Sequence, residues 1–165
     1  MKRRTPSLLF VALVGAWAGP SEAEPVCTRQ DARIVVALKE HTLTLCEGTK
    51  AVETFGIRLG RGGIGKTRAG DRKTPVGTYA LGRPRSSKRY GIFIPIGYPT
   101  EKQRKQGMTG GSLGVHGPDR RAKWLGRLGN TFDSSDGCVG LATDAEMERI
   151  AKWVRSAAAR TIELR

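Results

Sequence analysis

Arg33-Ile34-Val35-Val36-Ala37-Leu38, Thr42-Leu43-Thr44-Leu45-Cys46 and the run from Ala51 to Leu59 decide the fold. The first is rich in β-branched side chains, which are stiff at χ1 and suit a pleated surface. The second alternates, with Leu43 and Leu45 on one face. Lys39-Glu40-His41 and Glu47-Gly48-Thr49-Lys50 are short polar connections, so the three runs predict a meander of strands. His41 lies in the first turn, where a solvated side chain is expected, and it is assigned no function.

Beyond the meander, Gly60 to Arg72 has too many glycines for a strand or helix and reads as a mobile basic loop. Gly60 to Thr67 meets the spacing of a phosphate-binding loop. The context is wrong, because the turn Thr74-Pro75-Val76-Gly77 follows where that motif needs a helix. Strands are expected at Gly77 to Gly82 and Tyr90 to Gly97, with Pro95 placing the latter at an edge or bulge. Residues 98–112 read as loop, and Leu113 to His116 as a short extended piece. Gly117 to Ser134, containing Trp124 and Leu125, is a second long loop of a length that suits a lid. Thr143-Asp144-Ala145-Glu146 is a capping box. Met147, Ile150, Ala151, Val154 and Ala158 then follow at helical spacing as a core face. Thr161 to Leu164 closes the chain as a strand. The fold class is mainly β with one substantial helix (α+β), and 165 residues suit one hydrophobic core.

The N-terminus reads as an address. Lys2, Arg3 and Arg4 precede a short apolar run from Leu8 to Ala18, and Ser21-Glu22-Ala23 offers a cleavage site, with Ala16-Trp17-Ala18 as a second. Residues 1–23 are therefore expected to be a signal peptide and 24–165 the working domain. The apolar run is short for a membrane span, so no stable insertion is expected after cleavage. The chain carries a formal net charge of +14. In an exported protein this points to an anionic wall polymer, the alternative being a merely solubilising surface. Zinc-finger spacing, RNA-binding signatures and basic amphipathic helices are missing from the sequence, so nucleic acid is not an expected partner.

Three cysteines are an odd count for an oxidising compartment. Cys27 and Cys46 flank the first strands and are expected to bond to each other, leaving Cys138 free. Cys138 sits in Ser135-Asp136-Gly137-Cys138-Val139-Gly140-Leu141, where glycine lets backbone amides approach a ligand. A thiol needs a base to become a nucleophile, and His116, between Gly114-Val115 and Gly117, can take its proton and return one to a leaving amine. The competing reading is a strand-end histidine beside an inert, half-buried thiol.

His116-Gly117 followed by Ser135-Asp136-Gly137-Cys138 resembles the His-Gly and Ser-x-Gly-Cys signature of the YkuD-type L,D-transpeptidases. Lys66-Thr67-Arg68-x-Gly70-Asp71-Arg72-Lys73-Thr74-Pro75-x-Gly77-x-Tyr79 resembles the segment upstream in that family, and the resemblance spans residues 32–165. It implies a YkuD-like β-sandwich, no cofactor and no metal. It also implies acyl transfer from a peptidoglycan stem peptide, with Cys138 as nucleophile and His116 as proton donor and acceptor. Ser135 is then a candidate to orient His116 or position the loop, and Gly137 a candidate oxyanion donor through its backbone. Two departures stand out. Gly140 lies where many members carry arginine, and Asp136 where histidine is common. Arg68, Arg72 and Lys73 are the candidates to supply the missing charge and to hold anionic substrate. The implied setting is the periplasm or cell wall, and the implied state a monomer. Water as acceptor would make the protein an L,D-carboxypeptidase, and a non-catalytic wall-binding module is the reading from another class.

Overall fold

The computed structural model describes residues 26–121, 133 and 135–165. The expected signal at 1–23 lies outside the described residues, as do Trp124 and Leu125 of the expected lid. The elements run β1 (Arg33–Ala37), β2 (Thr42–Glu47), β3 (Lys50–Arg58), β4 (Gly77–Ala80), β5 (Arg85–Ser87), β6 (Gly91–Pro95), α1 (Glu101–Lys105), β7 (Gly114–His116), β8 (Val139–Leu141), α2 (Asp144–Ser156) and β9 (Thr161–Leu164).

The strands form one curled sheet in the order β4-β9-β1-β2-β3-β8-β7-β6-β5. β1, β2 and β3 are the expected antiparallel meander, with Ile34 opposite Leu45 and Leu43 opposite Phe55. β3 joins the halves because its length serves two partners: residues up to Gly56 pair with β2, and Ile57 and Arg58 pair with Leu141 and Gly140. A bridge between Leu81 and Ile96 draws the far ends together. One apolar cluster, including Ile34, Val36, Leu43, Phe55, Ile94 and Leu141, lies inside the curl.

Alternation along β1 explains its unbroken apolar run. Ile34 and Val36 face the main core, while Val35 turns to the opposite face and packs with Cys27 and Cys46. Those cysteines are bonded as expected, so the segment before β1 is fastened over that face.

Helix α2 begins where its capping box predicts: Thr143 accepts from the Glu146 amide, and Glu146 accepts from the Thr143 amide. Met147, Ile150, Ala151 and Val154 are buried. Ala158 is not, contrary to expectation. The helix ends at Ser156 with Ala157 as its C-cap, and Ala158 lies beyond it with φ of 51°, out of the helical period. Trp153 is buried instead, its Nε1 donating to Glu47 Oε1 at 2.8 Å. The short helix α1 replaces part of the expected loop 98–112. Its N-terminus has the same kind of box, between Thr100 and Gln103, but it buries no residue, so it leaves no apolar period to find. β5 and β8 have three residues each and are too short for periodicity. Pro95 ends β6, an interior strand paired with both β5 and β7, rather than lying on an edge strand. Among the described residues no helix is long and apolar enough to cross a membrane.

Candidate active site

Parallel pairing of β7 with β8 builds the centre of the site. Val115 lies level with Val139, and His116 with Gly140. Successive side chains alternate across a sheet, so Cys138, two residues before Gly140, falls on the face that His116 shares. The two are diagonal neighbours across the parallel pair. On the other side of β7, close approach of β6 requires Gly114, where a Cβ would collide with the Phe93 ring and the Ile94 carbonyl. The turn before Cys138 requires Gly137, which has φ of 120° and packs against the Lys73 carbonyl.

The Cys138 thiol is free and buried, with the Ser112 carbonyl 3.9 Å from Sγ. Burial pushes its pKa up, only partly opposed by the Gly114 amide and the charges of Arg89 and Lys66. His116 Nδ1 lies 2.7 Å from the Gly117 carbonyl oxygen, which can only accept, so Nδ1 carries the proton. Among the described residues the buried Nε2 has no hydrogen-bond partner. Burial first, and then the charges of Arg58 and Arg89, depress the imidazole pKa to about 4, against the raising effects of the Gly117 carbonyl and Asp119. At neutral pH the pair is therefore thiol and neutral imidazole rather than thiolate and imidazolium.

Ser135 does not reach His116. Its hydroxyl bonds to the Cys138 carbonyl at 2.8 Å and the Leu59 carbonyl at 3.3 Å, and it accepts from the Gly137 amide at 3.2 Å. It knots the turn that carries the thiol, while the Gly117 carbonyl orients the imidazole. The Gly137 amide, expected as an oxyanion donor, is engaged by Ser135.

The segment from Gly60 to Thr74, expected to be mobile, is folded around an ion pair. Lys66 Nζ lies 2.7 Å from Asp71 Oδ1, with side chains only 4% and 7% exposed. Burial alone would raise the Asp71 carboxyl, but the amides of Arg68, Thr67 and Lys73 together with Lys66 hold it well below the carboxylate range. Of the three basic residues expected at the site, only Arg72 lines the groove of about 460 Å³ beside the thiol turn, where Arg61 and Asp136 join it. Arg68 gives Asp71 its amide and Lys66 its carbonyl. Lys73 donates its amide to Asp71.

Several residues here were not singled out in the sequence. Tyr90 stacks on His116 with ring centroids 3.7 Å apart, and the Arg89 guanidinium lies over the Tyr90 ring, 4.8 Å from its centroid. Arg58, level with Gly140 on the neighbouring strand, donates to the Leu141 carbonyl at 2.7 Å. Its guanidinium would be 3.6 Å from a Cβ at Gly140. Gly140 had signalled a charge delivered from elsewhere. The end of β3 thus brings a guanidinium beside Gly140, while the loop after Gly60 brings Arg72 to the groove. Among the described residues no cluster of His, Cys, Asp and Glu could hold a metal ion.

No curated protein sequence matches the chain at a significant level. Solved structures do match in fold. The helical cell shape determining protein Pgp2 from Campylobacter jejuni aligns with a TM-score of 0.69 at 23% identity, covering 85% of this chain and 50% of that one. An Enterococcus faecium L,D-transpeptidase aligns with a TM-score of 0.54 at 15% identity, covering 83% of this chain and 50% of that one. The chain thus spans about half the length of either structure. The family model for the L,D-transpeptidase catalytic domain, YkuD, matches residues 31–162, and the chain belongs to that family.

Proposed function

We propose that the chain is an exported, cysteine-dependent acyltransferase acting on peptidoglycan stem peptides, with residues 24–165 as its catalytic domain. The observation that carries this reading is the imidazole whose Nδ1 is tied to Gly117 while its Nε2 lone pair is left buried and unpartnered on the face shared with Cys138. A structural histidine in such a place would be expected to satisfy both nitrogens.

Nε2 takes the thiol proton as Sγ attacks an amide carbonyl of the stem peptide on the L-centre side of an L,D bond. Because burial disfavours both charged forms, the thiolate forms as the attack proceeds rather than standing ready. The carbon–nitrogen bond then breaks, the Nε2 proton goes to the leaving amine, and a thioester remains on Cys138. An amine of a second stem attacks the thioester, gives its proton to Nε2, and expels the thiol to leave a cross-link. With the Gly137 amide engaged by Ser135, the amide of Cys138 itself is the backbone donor offered to the oxyanion. Ser135 acts by holding the turn. The half-open groove around Asp136 favours water as a competing acceptor, which would yield an L,D-carboxypeptidase.

Incubation with purified tetrapeptide muropeptides, followed by mass spectrometry, tests the reading. A thioester on Cys138 and loss of the terminal D-residue are expected, and dimeric or shortened products separate transfer from hydrolysis. Full turnover by Cys138→Ser with no covalent adduct on the unmodified protein would refute it.

A further inference from the structure

A second pocket, of about 360 Å³, lies on the β5–β6 hairpin and is lined by Arg85, Ser86, Ser87, Lys88, Tyr90 and Phe93. Unlike the groove beside the thiol turn, it has no carboxylate in its wall. The imbalance of charge continues around it. Among the described residues no ion pair reaches Arg83, Arg85, Lys88 or Arg120, all of them exposed. Asp119 does not relieve this surface, because it is already shared by Arg89 and Arg121. Cations left together without counter-charge repel one another, and an anionic ligand removes that repulsion.

The donors are held in place. Arg85 is opposite Phe93 in the hairpin, and its guanidinium lies over that ring, 5.2 Å from the centroid. The Ser87 hydroxyl accepts from the Tyr90 amide at 3.3 Å, so its proton remains to be donated. The Arg120 amide donates to the Arg89 carbonyl at 2.8 Å. Gly91, with φ of 73°, leaves room for the Arg120 guanidinium, which a Cβ would meet at 2.7 Å. A guanidinium, an ammonium and a pair of hydroxyls offer more donors than a planar carboxylate can take. A tetrahedral phosphoryl group presents oxygens in several directions and can use them all. β5 is also the last strand of the sheet, so an extended polymer can pass beside it. A membrane surface fits less well, since the exposed large apolar side chains Val26, Val52, Ile64 and Val76 all lie off this hairpin. Nor is there a platform for nucleic-acid bases: Phe93 is buried under Arg85, and Tyr90 is stacked on His116.

We infer that the pocket on the β5–β6 hairpin binds the phosphoryl groups of a polyol polymer linked by phosphodiesters. Arg85 and Lys88 meet the charge, Ser86 and Ser87 donate to the remaining oxygens, and Arg83 and Arg120 attract the neighbouring phosphates of the same chain. This goes beyond the acyl-transfer reading and does not depend on it. The polymer is held by the hairpin, and no chemistry at Cys138 is required for it to stay there.

Binding of the full chain to poly(glycerol phosphate) is measured by calorimetry over a series of salt concentrations. Polygalacturonate of matched charge, phosphatidylglycerol vesicles and a single-stranded oligonucleotide of equal phosphate count are titrated in parallel. The phosphate polymer should bind tightest, with polygalacturonate about tenfold weaker. Arg85→Gln with Lys88→Gln should weaken binding of the phosphate polymer about tenfold and flatten its dependence on salt. Lys152→Gln with Arg155→Gln removes the same charge from exposed positions on α2 and should leave binding unchanged. Equal losses in the two pairs would reduce the pocket to general surface charge. Equal affinity for polygalacturonate, the vesicles or the oligonucleotide would likewise overturn the inference. Thioester formation on tetrapeptide stems is followed separately, so a failed reaction and a failed polymer site are distinguishable.

Discussion

β2 and β3 run for six and nine residues, whereas β5, β7 and β8 have three each. The long strands are neighbours in sequence, joined by turns, and their side chains alternate between a closed core and a face sealed by the Cys27–Cys46 bond. Of the short strands, β7 and β8 come together from distant parts of the chain, with Gly114 letting β7 approach β6 and Gly137 letting the turn before β8 approach Lys73. The same half carries the costly features: a buried thiol, an imidazole nitrogen without a partner among the described residues, and Arg58 half withdrawn from water. One half makes the fold stable, and the other gives up part of that stability in burying polar and titratable groups. Damage to the two halves should consequently show in different measurements.

The largest effect is expected at the thiol. Cys138→Ser should lower turnover roughly a thousandfold or more, because the hydroxyl is far harder to ionise beside a lone imidazole. The melting transition should hardly move, since the two side chains are close in size. His116→Ala should also impair turnover but leave slow acylation that grows with pH, because thiolate forms unaided in alkali. Intact-mass detection of the thioester across a pH series distinguishes the variants, and an identical pH response in both would deny His116 its role as base.

The buried ion pair under the groove lies between the two halves in kind, being structural in cause but close to the site. Asp71→Asn strands the Lys66 ammonium and should cost about 3–5 kcal/mol, read by urea unfolding. Its pH signature follows from the sign of the shift. A carboxyl held below its ordinary value stabilises the fold above that value, and the contribution is lost as pH falls through the folded one. The acid loss of stability should therefore be shallower in the variant.

Removing the disulfide should give the opposite profile. Cys27→Ala with Cys46→Ala should cost about 3 kcal/mol in the chain-entropy model. Thioester formation per folded molecule should be unchanged at temperatures where the fold survives. A fall in the intrinsic rate would mean that the meander half positions the site as well as supporting it.

What the sequence disclosed follows the same division. The meander, the capping box at Thr143 and the pairing of Cys27 with Cys46 were legible because each is local or periodic. Cys138 and His116 stood out by residue type and motif, and the pairing of β7 with β8 brings their strands side by side. Arg58 and Tyr90 were not, because their importance comes from contacts across the sheet: Arg58 is level with Gly140, and Tyr90 lies on the His116 ring. The basic loop misled for a related reason. Its composition showed charge and glycine, but not that Asp71 would gather Lys66 and three amides and leave Arg72 alone of the three expected residues at the groove.

The smallest expected effect is the most diagnostic of how the two halves meet. β3 belongs to both, and its last residue, Arg58, adds to burial in keeping His116 neutral, as Arg89 does from the β5–β6 connection. Asp119 acts the other way, although it is itself tied to Arg89 and Arg121. Tyr90, stacked on the imidazole, and Cys138, on the same face of the sheet, are neutral at working pH, since burial raises both. Arg58→Gln should thus move the acid limb of kcat/KM upward from about 4 towards the ordinary 6.5, and Arg58→Lys should restore it. Asp119→Asn should move the limb down, both by removing an anion and by releasing the charge of Arg89. Rates near neutral pH should change little in either variant, because His116 is already neutral there. Limbs that move together, or a loss of rate at all pH values in Arg58→Gln, would show that Arg58 holds β3 against β8 and has no electrostatic part in the chemistry.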